Sequence, residues 1–202
     1  MEPSESMTTR ERRRKDIILE SLRQFAEKGF HKTTVPNIAN SLNMSVGNFY
    51  NYFRSKEILA QEVLKFISKH LGDKIRKVNE SDISTKTKVH SIVSLYFETA
   101  VEQPEMIDYF LRVYLSNREV FQEECQGMVC VSDFVTEIMI FFEEGVAKGD
   151  LKNQDFFSAF GLFMGYLGGM VFLNGESILP KPLKEYAGDV ADNIYNALKS
   201  ER

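Results

Sequence analysis

The sequence predicts an all-α fold in two parts: an N-terminal three-helix module, then a linking helix and a larger C-terminal helical body. Three observations predict it. Apolar residues recur three and four apart along most of the chain, no segment alternates with the period of a half-buried strand, and the candidate helices begin and end on capping residues. At 202 residues and 43% hydrophobic content, the chain can build one large domain or a small one joined to a medium one.

Thr8 and Glu11 have capping-box spacing, so the first helix starts there. Ile18, Leu22, Phe25 and Ala26 form its buried stripe, and Gly29 follows as a C-terminal cap. Thr33-Thr34 opens a short second helix running to about Leu42, with Pro36 in its first turn and Ile38, Ala39 and Leu42 inward. Asn43-Met44-Ser45 reads as a tight turn, with Asn43 left-handed and Ser45 capping the third helix. That helix is expected over 46–53, with Phe49 and Phe53 inward. Ser55 caps the fourth, linking helix, whose stripe is Leu59, Val63, Phe66 and Ile67. Further helices are expected at 85–102, 104–116, 119–148, 155–174 and 182–199, the third of them broken near Gly127. The domain reading is 1–54 for the N-terminal module and 55–202 for the linking helix and body.

Two short helices joined by a three-residue turn, with small Ala39 at the crossing, form a helix-turn-helix. Such a motif lays its second helix in the major groove while the first crosses the phosphate backbone. The outward positions here are Val46, Gly47, Asn48, Asn51 and Tyr52, with Tyr50 beside them. Asparagine can pair with adenine, valine can meet a thymine methyl, and Gly47 permits close approach. Charge points the same way. Residues 1–77 carry 15 Lys+Arg against 9 Asp+Glu, whereas residues 78–202 carry 10 against 20. Arg10, Arg12, Arg13, Arg14 and Lys56 sit at positive helix ends, where the dipole disfavours a cation unless phosphates lie nearby.

The ordered set Phe25-Ala26-Glu27-Lys28-Gly29-Phe30, Thr33-Thr34-Val35, Ile38-Ala39, Ser45 through Phe53 and Ser55-Lys56-Glu57-Ile58-Leu59 resembles the TetR family of transcriptional regulators. The resemblance implies a three-helix DNA-binding domain, a linking helix, and a C-terminal domain that dimerises and holds a ligand. It also implies that ligand binding shifts the linking helix and releases a near-palindromic operator. On that pattern Val46, Gly47, Asn48, Tyr50 and Asn51 match positions that face bases. Thr34, Tyr50, Tyr52 and Lys56 match positions that clamp phosphates, and Thr33 and Ser45 complete the expected DNA-binding set. This sequence departs from the pattern with Asn43 where Gly is usual, Tyr52 where His is common, and Asn48 where a small hydroxyl residue is common.

Residues 156–173 carry no charge, and Gly161, Gly165 and Gly169 line one face. Each glycine costs about 1 kcal/mol against alanine in a helix, which close approach to another helix would justify. We expect this helix and the last one, with Tyr195, to pair with their copies in a homodimer as a four-helix interface. The glycines and the following Asn174-Gly175-Glu176 suit a membrane span poorly, so no membrane partner is expected. Eleven of sixteen Phe and six of eight Tyr lie beyond residue 77. Tyr96, Phe97, Phe110, Tyr114, Phe134, Phe142 and Phe163 are the candidates for a pocket that takes an apolar or aromatic effector.

Cys125 and Cys130, five apart, would point about 140° from each other on a helix, so no disulfide is expected between them. With no signal peptide visible, the expectation is a reducing cytoplasm. No catalytic triad, phosphate loop or metal-ligand spacing is present, so neither an enzyme nor a cofactor is expected. The rival reading is a helical adaptor that keeps the fold without reading an operator.

Overall fold

The computed structural model describes residues 7–121, 125 and 129–201. The helices are α1 (Thr9–Lys28), α2 (Val35–Ser41), α3 (Val46–Tyr50), α4 (Lys56–Asn79), α5 (Thr85–Glu102), α6 (Pro104–Asp108), α7 (Arg118–Phe121), α8 (Ser132–Ala147), α9 (Phe156–Gly175) and α10 (Ala187–Leu198). α6 continues as a π-helical segment, Tyr109–Tyr114, and 3-10 turns at Val129–Val131 and Leu183–Tyr186 precede α8 and α10. Among the described residues, the one β-type pairing is a bridge between Leu151 and Lys199. The all-α reading therefore holds.

Local chemistry explains the boundaries. Thr8 and Glu11 close the capping box on α1, and that bonding holds the Glu11 carboxyl below the usual range. Gly29 ends the helix at φ 82°, a conformation that a side chain would strain. Thr34 caps α2 through the Asn37 N–H, and Asn43 turns left-handed at φ 50° as its residue type predicts. Two expectations change. α3 ends at Tyr50 rather than at 53, because the Asn51 and Tyr52 amides bond to Asn48 and Phe49, closing a turn. The long helix expected over 119–148 is interrupted: α7 stops at Phe121 and α8 begins at Ser132. The break expected near Gly127 lies outside the described residues.

That interruption also overturns the reading of the cysteines. Cys125 and Cys130 form a disulfide with Cα atoms 5.1 Å apart. The angular separation of a continuous helix does not apply, since Cys125 lies in a bend and Cys130 in a 3-10 turn.

The chain packs as two units, residues through Ile67 with Asp108–Cys130, and Ser68–Ile107 with residues from Val131 onward. In the first, Ile17, Leu22, Phe25, Ile38, Ala39, Phe49 and Phe53 form the core. Phe25 meets Phe30 and Tyr109 at ring-centroid distances of 5.6 and 6.1 Å. The Tyr109 hydroxyl, fully buried, donates to the Ala60 carbonyl at 2.7 Å.

In the second unit, α5 packs along α10 and touches α9. Ile92, Val93, Phe97, Ile138, Phe141, Phe163, Leu167 and Ile194 are buried there. Polar links fix the C-terminal part of α4 within this unit. α8 has no side-chain cap of its own, and Ser68 on α4 accepts the Phe134 N–H at 3.1 Å instead. Buried Glu137 pairs with Arg76 at 2.7 Å and accepts from Asn79 at 3.1 Å. Buried Lys88 donates to the Asn79 carbonyl and to Glu144. That places a cation at the negative end of α4, where the helix dipole favours it.

Gly72 on α4 lies tight against α8: an added Cβ would stand 2.9 Å from the Asp133 carbonyl carbon and oxygen. Backbone cannot yield as a side-chain tip can. Gly72→Ala is therefore expected to destabilise the protein by about 1–3 kcal/mol, read as a lower urea midpoint at unchanged slope. Gly188→Ala, whose methyl would meet nothing within 4 Å, is the control and should not lower the midpoint.

Candidate nucleic-acid interface

α3 presents its edge because it packs on α2, which in turn packs on α1. Phe49 is fully buried and contacts Phe53 at 6.0 Å, while Val46, Gly47, Asn48, Tyr50 and Asn51 are exposed. Tyr52 is half-buried. The Met44 amide returns to the Ala39 carbonyl at 3.0 Å, and Ala39 is fully buried where the helices cross. Ser45 caps α3 by accepting the Asn48 N–H at 3.1 Å. The amide of Asn51 lies 3.5 Å from the Asn48 side-chain oxygen, so the two asparagines stand side by side on the open edge.

Hydrogen bonds brace the module behind that edge. Gln24 on α1, 1% exposed, reaches Ser41 on α2 at 3.0 Å and Glu20 at 2.7 Å. Arg13 donates to the Leu42 carbonyl at 2.7 Å, satisfying the C-terminus of α2. Arg14 pairs with Glu62 and lies 4.8 Å from the Phe53 ring centroid. Burial pushes the Glu62 carboxyl up, but its bonds to Arg14 and Lys65 outweigh this and hold it below the usual range.

The structure sorts the expected DNA-binding residues into three groups. Val46, Gly47, Asn48, Tyr50, Asn51 and Ser45 share one exposed edge, with Thr34 exposed at the start of α2. Lys56 is half-buried: its ammonium donates to the Phe30 and Thr33 carbonyls at 2.9 and 3.0 Å, 4.1 Å from the Phe30 ring centroid. Two of its three donors are thus used inside the module. Thr33 is fully buried, with its hydroxyl 3.1 Å from the Gln24 carbonyl and 2.9 Å from that of Gly29. Its side chain is inward and ties the α1–α2 turn. The sequence reading passed over exposed Lys15, Lys32 and Arg54, which, like Arg12, have no ion-pair partner among the described residues. Arg10 reaches the Asn51 carbonyl at 3.5 Å. Arg54, four residues past the end of α3, could have been found as the cation between the third and fourth helices.

The candidate effector residues separate. Tyr96, Phe134 and Phe163 line a narrow apolar cavity in the second unit with Leu71, Ile75, Ile92, Leu95, Ile138, Met164 and Leu167. The side chains close on one another there and leave no room for a water-sized molecule in this state. Burial raises the Tyr96 phenol above its ordinary pKa. Leu71 and Ile75 were missed, although they continue the α4 stripe at four-residue spacing. Phe142 instead lines an open groove of about 400 Å³ with Phe156, Glu143, Lys152 and Gln154. Phe97 is buried and lines neither space. Phe110 and Tyr114 belong to the other unit, where they pair at 5.4 Å and Tyr114 meets Phe121 at 5.2 Å. They lie on the π-helical segment, whose wider turn a sequence period of 3.6 does not anticipate.

On α9, an added Cβ at Gly161, Gly165 or Gly169 would meet nothing within 4 Å. Among the described residues, the glycines therefore serve no helix crossing. Phe157, Leu162 and Phe172 are exposed on the same helix. Tyr195 on α10 is half-buried, and Asn193 donates to the Tyr166 hydroxyl at 3.1 Å, joining α10 to α9.

Comparison with known proteins agrees with this geometry. Residues 17–63 match the family model described as bacterial regulatory proteins, tetR family. The transcriptional repressor KstR2 of Rhodococcus jostii is 24% identical over 159 residues, covering 76% of this chain and 72% of the repressor. Among solved structures, the fatty acid degradation regulator FadR of Bacillus halodurans superposes with a TM-score of 0.78 at 19% identity, over 95% of this chain and 97% of its own. FadR of Bacillus subtilis, solved in complex with stearoyl-CoA, gives 0.75 at 18% identity, over 90% and 97%. These two share the fold. With the exposed reading edge and the matched N-terminal segment in agreement, residues 17–63 match the DNA-binding segment of the tetR family, and the chain has the fold and reading edge of a DNA-binding transcriptional regulator.

Proposed function

We propose that this chain represses transcription in the cytoplasm as a homodimer on a near-palindromic operator, and releases it when an apolar effector enters the cavity of the second unit. One observation carries the reading: the exposed face of α3 is polar and asparagine-rich, while Arg12, Lys15, Lys32 and Arg54, without an ion-pair partner among the described residues, stand on the same small unit. Phosphates would supply the missing counter-charge and bases the missing hydrogen bonds. Residues 1–54 act as reader and 55–202 as regulator in this proposal. Thr34 and Tyr52 contact phosphates, as does Tyr50 at the rim of the reading edge. Lys56 braces the phosphate-facing turn while its third donor stays available. Gly161, Gly165, Gly169 and Tyr195 meet a second copy, and that partner chain rather than a membrane covers α9.

The cavity lining supports the choice of effector. All its side chains are hydrocarbon or thioether except the Tyr96 phenol, so a long apolar chain suits it better than a polar metabolite. The related fold that holds stearoyl-CoA makes a long-chain acyl thioester the first effector to test. The adaptor reading has no comparable support, since an adaptor has no use for an exposed asparagine pair beside free cations. No catalytic role is proposed.

Four outcomes are expected. Operator affinity should fall by about 10³–10⁵ between 50 and 200 mM salt, as for proteins making six to ten phosphate contacts. Arg54→Ala should weaken binding to all duplexes alike and reduce the salt slope by about 1, read by fluorescence anisotropy. Gly165→Leu should leave the helical circular dichroism intact and yield monomers in analytical ultracentrifugation; persistence of the dimer would remove α9 from the interface. Stearoyl-CoA should release a bound operator duplex while a short-chain acyl-CoA does not, and release by neither would exclude the acyl chain as effector.

A further inference from the structure

We propose that α3 selects A·T pairs: within each half-site Asn48 takes an adenine bidentately, Val46 meets a thymine methyl, and neither guanine nor cytosine is read by this helix. The inference rests on the regulator reading and goes beyond it by naming the sequence class of the operator.

The argument starts from what each base shows in the major groove. Guanine offers two acceptors and is best met by arginine or lysine, and cytosine offers a donor that calls for a carboxylate. α3 reads Val-Gly-Asn-Phe-Tyr and carries neither a cation nor an acid. Adenine offers an acceptor beside a donor, the complement of a carboxamide, and thymine offers a methyl. Val46 is 37% exposed, large for an aliphatic side chain at the start of a helix with a core behind it. Asn48 is exposed, and Asn51 beside it, 3.5 Å from its oxygen, engages one lone pair. The second lone pair and the amide hydrogens of Asn48 face outward with no partner among the described residues. That is the donor–acceptor pair adenine requires.

Gly47 adds an independent observation. Its backbone is not left-handed, and an added Cβ would meet nothing within 4 Å, so the protein's own packing does not demand glycine there. A glycine in an exposed helical position, where alanine would be more stable, leaves room for something outside the chain. Between Val46 and Asn48, that room admits the edge of a base pair.

The test is selection from a random duplex library with the full-length protein, followed by binding measurements on the winning site. Expected is a two-fold repeated half-site whose central positions are A·T pairs. Asn48→Ala should lower the preference for adenine at one position by about 10- to 100-fold, and Val46→Ala should weaken the thymine preference next to it. Both residues are exposed, so unchanged circular dichroism is expected and is checked for each variant. Asn48→Arg should move the preference at that position to guanine. Half-sites with G·C pairs at positions that respond to Asn48 or Val46 would overturn the A·T assignment and leave the regulator reading intact. An A·T-rich site indifferent to both substitutions would also overturn it, because DNA shape would then carry the selection. No enriched motif at all would overturn the regulator reading itself.

Discussion

The burial of Phe49 is the contact on which the rest depends. α3 has five residues, and a helix of that length has no stability of its own in water. Its direction is set by one fully buried ring, which meets Phe53 beyond the turn, and by the packing of α3 on α2. On the same short helix Val46, Gly47, Asn48 and Tyr50 are exposed. The same residue that gives the unit its core therefore gives the reading edge its orientation. A polar outer face is affordable because one aromatic side chain satisfies the packing of the whole element.

The cations of this unit divide by what they satisfy. Arg13 and Lys56 complete carbonyls that the helices leave open, at Leu42 and at Phe30 and Thr33. Arg14 balances Glu62. These side chains hold the frame, and their charge is largely committed within the protein. Arg12, Lys15, Lys32 and Arg54 are exposed and have no such duty. A basic sequence count thus overstates the charge available to a polyanion, while position in the fold identifies which charges are free.

Much of this was legible in the sequence, for physical reasons that also mark where legibility stopped. Caps are local, so Thr8, Gly29, Thr34, Asn43 and Ser45 took the places their chemistry predicts. The inward and outward faces of α3 followed from i, i+4 spacing of Phe49 and Phe53. Thr33 and Lys56 were harder, because their partners are carbonyls of a turn, and a carbonyl carries no sequence signature. The effector residues scattered for a related reason. Aromatic content does not say which rings share a space, and a π-helical turn carried Phe110 and Tyr114 to the other unit. The disulfide was misjudged by assuming helix where the chain bends.

How an effector cavity could act on DNA follows from which helix belongs to both units. α4 supplies residues through Ile67 to the first unit and from Ser68 onward to the second. Leu59 and Val63 are buried with the reader, while Leu71 and Ile75 line the apolar cavity. A molecule that widens the cavity must displace Leu71 or Ile75, or the rings facing them. Meanwhile Asn79, Arg76 and Ser68 hold the far part of the helix to α8 by hydrogen bonds. A ligand shifts an equilibrium only by its differential affinity for two states. Here the difference would arise because the cavity is too narrow for a chain-sized occupant in the state described, so binding favours whichever state opens it. In the proposed function, the cavity wall formed by Leu71 and Ile75 lies on α4, the same helix that carries Leu59 and Val63 in the first unit.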